Sequence, residues 1–475
     1  MITAKAFAGK HYAVLGLARS GLATVKALLA SGARVTAWDD DAAVRAKLLP
    51  GTGRGTSEAG GGGPQKLPGA TVGPLHHAAS RRGPPPRAGE DLTVADFTAA
   101  DLTQFDSIVV TPGLPLNRHP IAQRARDAGV EIIGDIELFA RARAELPPHK
   151  VVGITGTNGK STTTALVHHI LQTAGVPSLM GGNIGLPILS QEPLPEGGVY
   201  VLELSSFQID LTQSLDCDVA VLLNITPDHL ERYESFEAYA ASKERLFTMQ
   251  SWEHDGIFGV DDPVAAALGA LEPFGAIRNR LAISYTWHAR VSDVSGFLLA
   301  DTLQGPHNAQ NAAAAWQVAR HLKIKERDSQ LALRTYPGLP HRMERIREKD
   351  GVLFVNDSKA TNAEAAAPAL AAYPKVRWIV GGQAKAETLG DIARHLDHVV
   401  AAYTIGEAGP MFAGLLREAG VNVIECETLE NAVKRAAEDS QPGETVLLSP
   451  ASASFDQFKD FEARGDRFRE LVGAL

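Results

Sequence analysis

The segment 150–175, KVVGITGTNGKSTTTALVHHILQTAG, restricts the fold most, because a short apolar run breaks at a glycine-rich turn and resumes as a helical pattern. Runs such as VVGIT, VYVLEL and VAVLLN place apolar side chains at consecutive positions, so both faces of each strand must be buried. Burial on both faces is the mark of a parallel sheet covered by helices. The same order opens the chain, where 11–17 reads as a strand, 21–31 as a helix and 34–38 as a second strand. A strand at 107–110 and a helix at 135–144 follow, ending near Pro147 and Pro148. Beyond a Pro-rich turn at 336–341, GVLFVNDS, RWIVGG, AAYTIG and TVLLSP alternate with alanine-rich stretches. At roughly 150 residues per domain, the 475 residues divide into three α/β domains, near 1–149, 150–338 and 339–475.

The pattern lapses from 51 to 89, where Gly, Pro, Arg and Ser dominate. Such a composition buries too little apolar surface to order itself, so this stretch reads as a flexible insertion in the first domain. A net charge of −9 lacks the basic excess that nucleic acid or an anionic membrane demands. No run reaches membrane-spanning length, and MITAKAFAGKHYAVLGLARSG has no signal-peptide core. Cys217 and Cys426 stand far apart and outside any CxxC spacing, which points away from disulfides or zinc and towards a reducing cytoplasm. We expect a cytoplasmic monomer without stable membrane insertion or nucleic-acid partners.

Chemistry concentrates where strands end. Gly156, Thr157, Asn158, Gly159, Lys160, Ser161 and Thr162 lie between a strand and a helix, where backbone N–H groups and the helix dipole converge on phosphate oxygens. Lys160 would neutralise phosphate charge and Ser161 would place its hydroxyl on Mg²⁺. Ile154 stands where the common nucleotide loop has its first glycine, so an incidental surface turn is the plainer alternative. Gly16-Leu-Ala-Arg19-Ser20-Gly21, with Asp39 after the second strand, offers a weaker diphosphate site, and Ala18 disfavours a dinucleotide. Glu203 ends an apolar strand within reach of a metal beside the phosphate loop, or is simply solvated there. His229 follows another buried strand and could equally be structural. Lys243, on an amphipathic helix with Tyr239, Leu246 and Phe247, reads from the residues alone as solvated. Asn308 and Asn311 sit just before a helix and would either cap it or read an adenine edge. In the third domain, NDSKATN, GGQAK and SPASASFDQF each follow a strand and would present polar groups to one crevice for an anionic ligand.

Together GTNGKST, GGNIG, ELSSFQ, NITPDHLERY, HNAQN, HR, NDSKATN and LLSPASASFDQFKDFEARG resemble the Mur ligases over nearly the whole chain. IGDIELF and SFDQFKDFEARG are similar to the D-glutamate-adding branch of that family. The resemblance implies a Rossmann-like N-terminal domain, a P-loop-type central ATPase domain with a mostly parallel sheet, and a Rossmann-like C-terminal domain. It implies ATP-dependent ligation of D-glutamate to UDP-N-acetylmuramoyl-L-alanine through an acyl phosphate, with ATP and Mg²⁺ required. Arg19, Ser20, Asp39, Gly113 and Asn183 would contact the UDP-linked substrate. Asn308 and Asn311 would face adenine, Asp357 the ribose and Arg342 the γ-phosphate. Ser161 and Glu203 would hold one Mg²⁺; His229 and Lys243, the latter as a carbamate, would hold a second. Lys359, Thr361, Lys385, Ser454 and Phe461 would surround D-glutamate, and Lys160, Glu203, His229, Lys243 and Arg342 would carry the catalysis. The third domain is expected to close over the second, bringing Arg342 to the ATP. Two positions depart from the family pattern, Gln383 where Asp is frequent and Ser452 where Cys is frequent. The rival readings are another ligase of the superfamily, folylpolyglutamate synthase included, and a non-catalytic nucleotide-binding regulator.

Overall fold

The computed structural model describes residues 1–46, 48, 91–228, 231–269, 285–303, 305–384 and 387–475, and the 51–89 segment lies outside them. Three sheets form, each from one stretch of chain. In the first, β1 (His11–Leu15), β2 (Arg34–Trp38), β3 (Leu92–Val94), β4 (Ser107–Val110) and β5 (Ile132–Ile133) pair in the order 3-2-1-4-5. In the second, β6 (His149–Thr155), β7 (Ser178–Gly182), β8 (Gly198–Glu203), β9 (Val219–Leu222), β10 (Asp255–Gly259) and β11 (Tyr285–Ala289) run 11-10-9-6-8-7. Both sheets are parallel throughout. The third holds β12 (Glu344–Lys349), β13 (Val352–Asn356), β14 (Val376–Gly381), β15 (Val399–Ile405), β16 (Val423–Glu427) and β17 (Thr445–Leu448), in the order 12-13-17-14-15-16. Only its edge strand β12 is antiparallel to its neighbour.

The chain separates into two compact units. Met1–Glu145 form the first together with Pro187–Glu192, and the remainder forms the second. Within the first unit Ile188 and Leu189 are fully buried, and Ile2 N–H donates to the Leu189 carbonyl at 3.0 Å. The second unit contains the central and C-terminal sheets.

The central core follows from the pattern of the helix Lys160–Thr173. Its buried Leu166, Val167, Ile170 and Leu171 recur on one face and pack on Val152, Ile154, Val201 and Val221 of the sheet. The helix Pro306–His321 joins this core through Ala312, Ala313, Ala314 and Ala315, whose small side chains permit close approach. Register then does the positioning: Glu203 pairs with Ile154 and with Gly182, so its carboxylate emerges beside the turn that begins at Gly156.

Leu166→Ala, at a wholly buried position, is expected to cost about 2–5 kcal/mol. Leu331→Ala, at a position 41% exposed, should change stability by no more than about 0.5 kcal/mol. Urea denaturation followed by intrinsic fluorescence checks the contrast, and equal shifts for the two would contradict it.

Candidate active site

Gly156 to Gly159 connect β6 to the helix Lys160–Thr173, so the helix presents unpaired N–H groups to the turn. Gly159 has φ +83°, and a Cβ there would lie 2.2 Å from Asn311 Oδ1, so the loop tolerates no side chain at this point. Asn224, at the end of the β9 run, clasps the loop: its Oδ1 accepts from Asn158 N–H at 2.8 Å and its Nδ2 donates to the Asn158 carbonyl at 3.1 Å. Thr157 Oγ1 donates to the Thr226 carbonyl and meets the Tyr239 hydroxyl, both at 3.1 Å. Neither Asn224 nor Tyr239 stood out as a site residue in the sequence; an asparagine directly after a buried strand was the available signal. Lys160 Nζ donates to the Gly156 and Thr157 carbonyls at 2.9 and 2.6 Å.

Glu203 is 3% exposed. Asn183 Nδ2 donates to its Oε1 at 3.1 Å, while Oε2 is buried without a partner among the described residues. An orphaned carboxylate oxygen suits a hard cation, which needs only one or two carboxylates when phosphate oxygens complete its shell. No cluster of three or more His, Cys, Asp or Glu among the described residues could hold a metal alone. Arg342 reaches the same place, its Nη2 donating to Ser161 Oγ at 2.7 Å. The contact expected to require domain closure is therefore already made within the second unit. Lys243 is buried rather than solvated: its Nζ donates to the Gly156 carbonyl at 2.9 Å and lies over the Tyr239 ring. Burial, then repulsion from Lys160, holds its ammonium well below the usual lysine pKa.

A cavity of about 360 Å³ opens beside the loop, lined by Asn158, Thr162, Asn308, Asn311, Arg342 and Asp357 among others. That volume suits a nucleotide-sized ligand. Asn308 and Asn311 do not precede a helix but lie inside Pro306–His321, because Gly305 caps it and Pro306 starts it. Asn311 accepts from Thr163 Oγ1 at 3.3 Å and donates to Asn308 Oδ1 at 3.2 Å, so its amide is oriented within the protein while it lines the cavity. Arg19 and Ser20 likewise fall inside a helix, Arg19–Ala30, which starts before the expected Gly21. Asp357 accepts from Ser449 Oγ at 2.8 Å and from Met343 N–H at 3.2 Å. Burial pushes its carboxyl up to about 7.

The loops after β13, β14 and β17 do meet. Asp357 N–H donates to the Leu448 carbonyl, Gly381 N–H to the Pro450 carbonyl, and Gln383 and Ala453 form an antiparallel bridge. Lys359 Nζ lies 3.8 Å from the centre of the Phe461 ring, and burial, then repulsion from Arg342, lowers its pKa to about 8. Ser454 is buried on the β17 loop, and Thr361 immediately precedes the Asn362 cap of the helix Ala363–Ala371. In the first unit Asp39 Oδ2 accepts from Leu17 N–H at 2.6 Å, tying it to the glycine turn, and Gly113 lies just beyond β4. Asn183 belongs to the second unit, so it is not grouped with those residues. His229 and Lys385 lie outside the described residues.

Parallel sheets with a phosphate loop, an orphaned carboxylate and converging cations are the parts of a nucleotide-dependent enzyme. Residues 154–319 match the Mur ligase middle domain and 341–452 the Mur ligase glutamate ligase domain. A UDP-N-acetylmuramoylalanine–D-glutamate ligase of Novosphingobium aromaticivorans is 54% identical over 100% of this chain and 97% of its own. The same enzyme of Zymomonas mobilis is 51% identical over 100% of both. A UDP-N-acetylmuramate–alanine ligase structure from Thermotoga maritima, 17% identical, covers 98% of this chain and 99% of its own with a TM-score of 0.55, a likeness of fold. The chain belongs to the UDP-N-acetylmuramoylalanine–D-glutamate ligase family. Among the described residues no helix is long and apolar enough to cross a membrane.

Asp357 supplies a pH test. Its folded pKa of about 7 lies above the ordinary 3.8, so its contribution to stability is full below about 4 and is lost as pH rises through about 7. Asp357→Asn should therefore gain in melting temperature relative to wild type across that window and then level off. A constant difference from pH 4 to 8 would contradict this.

Proposed function

We propose that this chain joins D-glutamate to UDP-N-acetylmuramoyl-L-alanine at the expense of ATP, a step of peptidoglycan precursor synthesis, and that it acts as a monomer. The convergence of Lys160, Ser161, Glu203 and Arg342 beside a nucleotide-sized cavity is the observation that best supports this reading. We assign residues 1–149 to the UDP end of the substrate, through Arg19, Ser20, Asp39 and Gly113. Residues 150–338 bind ATP, and 339–475 bind the amino acid.

A carboxylate resists attack by an amine until one oxygen becomes a good leaving group. In the first step the alanyl carboxylate attacks the γ-phosphorus and ADP departs. Lys160 and the Gly156–Thr162 backbone hold the phosphates, and Arg342 reaches across to the γ-phosphoryl group as charge develops on it. Asn308 and Asn311 face adenine, Asp357 the ribose, and Asn183 the muramoyl portion. Ser161 and Glu203 would hold one Mg²⁺, and His229 with carbamylated Lys243 a second, supplying charge neutralisation at the phosphates. In the second step the D-glutamate amine attacks the acyl carbon, phosphate leaves, and the amine surrenders its proton. Lys359, Thr361, Lys385, Ser454 and Phe461 orient the amino acid for that attack.

Phosphate release from ATP with Mg²⁺ and UDP-N-acetylmuramoyl-L-alanine should occur with D-glutamate and not with L-glutamate, L-alanine or meso-diaminopimelate. Release with another amino acid instead would move the chain to a different ligase activity. Release with none would favour a non-catalytic binding protein. In the same assay Lys160→Ala should lower kcat by about 10²–10³, and a wild-type rate would remove this lysine from the mechanism.

A further inference from the structure

Arg464, on the helix Phe461–Ala474, is 1% exposed. Its guanidinium donates to Ser358 Oγ at 3.0 Å, to the Ser358 carbonyl at 2.9 Å, to the Ser452 carbonyl at 3.0 Å and to the Ala453 carbonyl at 3.3 Å. All four acceptors are neutral and no carboxylate bonds it among the described residues, although Asp456 attracts its charge through space. Burial lowers its pKa to about 10, so it stays cationic at neutral pH. Buried charges are ordinarily paired, because the cost of removing them from water is large. The same domain obeys that rule elsewhere, where buried Arg377 donates to Glu444 Oε2 at 2.5 Å.

The acceptors of Arg464 identify what it serves. Ser358 precedes Lys359 on the β13 loop, and Ser452 and Ala453 precede Ser454 on the β17 loop. A Cβ on Gly382 would come within 3.1 Å of Arg464 Nη1, so the β14 loop also passes against the guanidinium. One helical turn before Arg464, Phe461 carries Lys359 on its ring, and its carbonyl accepts from Ser358 Oγ at 2.9 Å.

We propose that Arg464 is a positioning residue for the incoming amino acid: it pins the loops of Lys359 and Ser454 against each other, and its charge, bonded to no carboxylate, favours an acceptor bearing a second carboxylate. This rests on the reading that this end of the C-terminal sheet receives D-glutamate. A backbone brace alone would not need a charge, so the two contributions separate on substitution. Arg464→Lys keeps the charge and loses the fork, whereas Arg464→Gln keeps some hydrogen bonding and loses the charge.

The test uses the full chain and two readouts. Steady-state kinetics should show the D-glutamate KM raised by about 10-fold or less in Arg464→Lys and by about 100-fold or more in Arg464→Gln. The KM values for ATP and UDP-N-acetylmuramoyl-L-alanine should stay within about threefold of wild type. Positional exchange of ¹⁸O in ATP, run with the UDP substrate and no amino acid, should persist at the wild-type rate in both variants. Equal KM increases in the two variants, or loss of the exchange, would reduce Arg464 to a structural brace. The unmutated chain supplies an independent check: D-glutamine should be a far poorer acceptor than D-glutamate, by about 10³ in kcat/KM. Comparable use of both would overturn the charge argument whatever the variants do. A wild-type chain that ligates only monocarboxylate amino acids would sink both this inference and the function on which it rests. One that ligates D-glutamate while Arg464→Gln is unaffected would sink this inference alone.

Discussion

Lys160, Lys243, Arg342 and Lys359 are drawn wholly or partly out of water around the loops of the second unit, and they repel one another there. Arg342 opposes protonation of Lys160 and of Lys359, and Lys160 opposes that of Lys243 and Lys359. Burial is the larger cause at each lysine; Glu203 outweighs Arg342 at Lys160, whereas the repulsion from Lys160 exceeds the pull of Asp228 at Lys243 and that from Arg342 exceeds the pull of Glu203 at Lys359. A fold selected for stability alone would not gather like charges where the dielectric is low. On the function proposed above, the ATP phosphates would give Lys160 and Arg342 further anionic partners in a site from which water is excluded. Burial first, and then repulsion from Lys160, favours the neutral amine of Lys243, the form that can react with carbon dioxide.

Arg342 is held in place by backbone in unusual conformations. His341 and Met343 have φ of +61° and +47°, and they flank Arg342. Such residues cost of order 1–3 kcal/mol each and persist only where their surroundings fix them. Here His341 N–H donates to Glu344 Oε2, Asn356 Nδ2 bonds His341 Nδ1, and Met343 N–H donates to Asp357. Lys359 N–H also donates to the His341 carbonyl. The segment that aims Arg342 at Ser161 is thus clamped to the loop carrying Asp357 and Lys359, coupling the phosphate loop to the part of the site proposed for the amino acid.

The strands and the phosphate loop were legible because they rest on short-range patterns: continuous apolar runs, a glycine turn and a helical period. The same patterns put Glu203 at a strand end, where the register confirms it beside the loop. Helix starts were less legible. Asn308 and Asn311 looked like caps, yet Gly305 and Pro306 had already begun the helix, an ordinary pairing that a polar run disguised. Lys243 and Arg464 were opaque for a different reason. Each is a cation on a helix, a residue that local sequence assigns to solvent, and only contacts with Gly156 or with Ser358 and Ser452 reveal its burial.

The short stretch Pro187–Glu192 has a consequence for how the polypeptide is made. It supplies the buried Ile188 and Leu189 to a unit whose other residues were all synthesised before Leu146. On the ribosome that first unit has its sheet early but must wait, its apolar surface incomplete, while the phosphate loop and two strands of the next sheet emerge. Co-translational maturation of the N-terminal unit is therefore not strictly vectorial: its last piece arrives only after the adjacent unit has started to form.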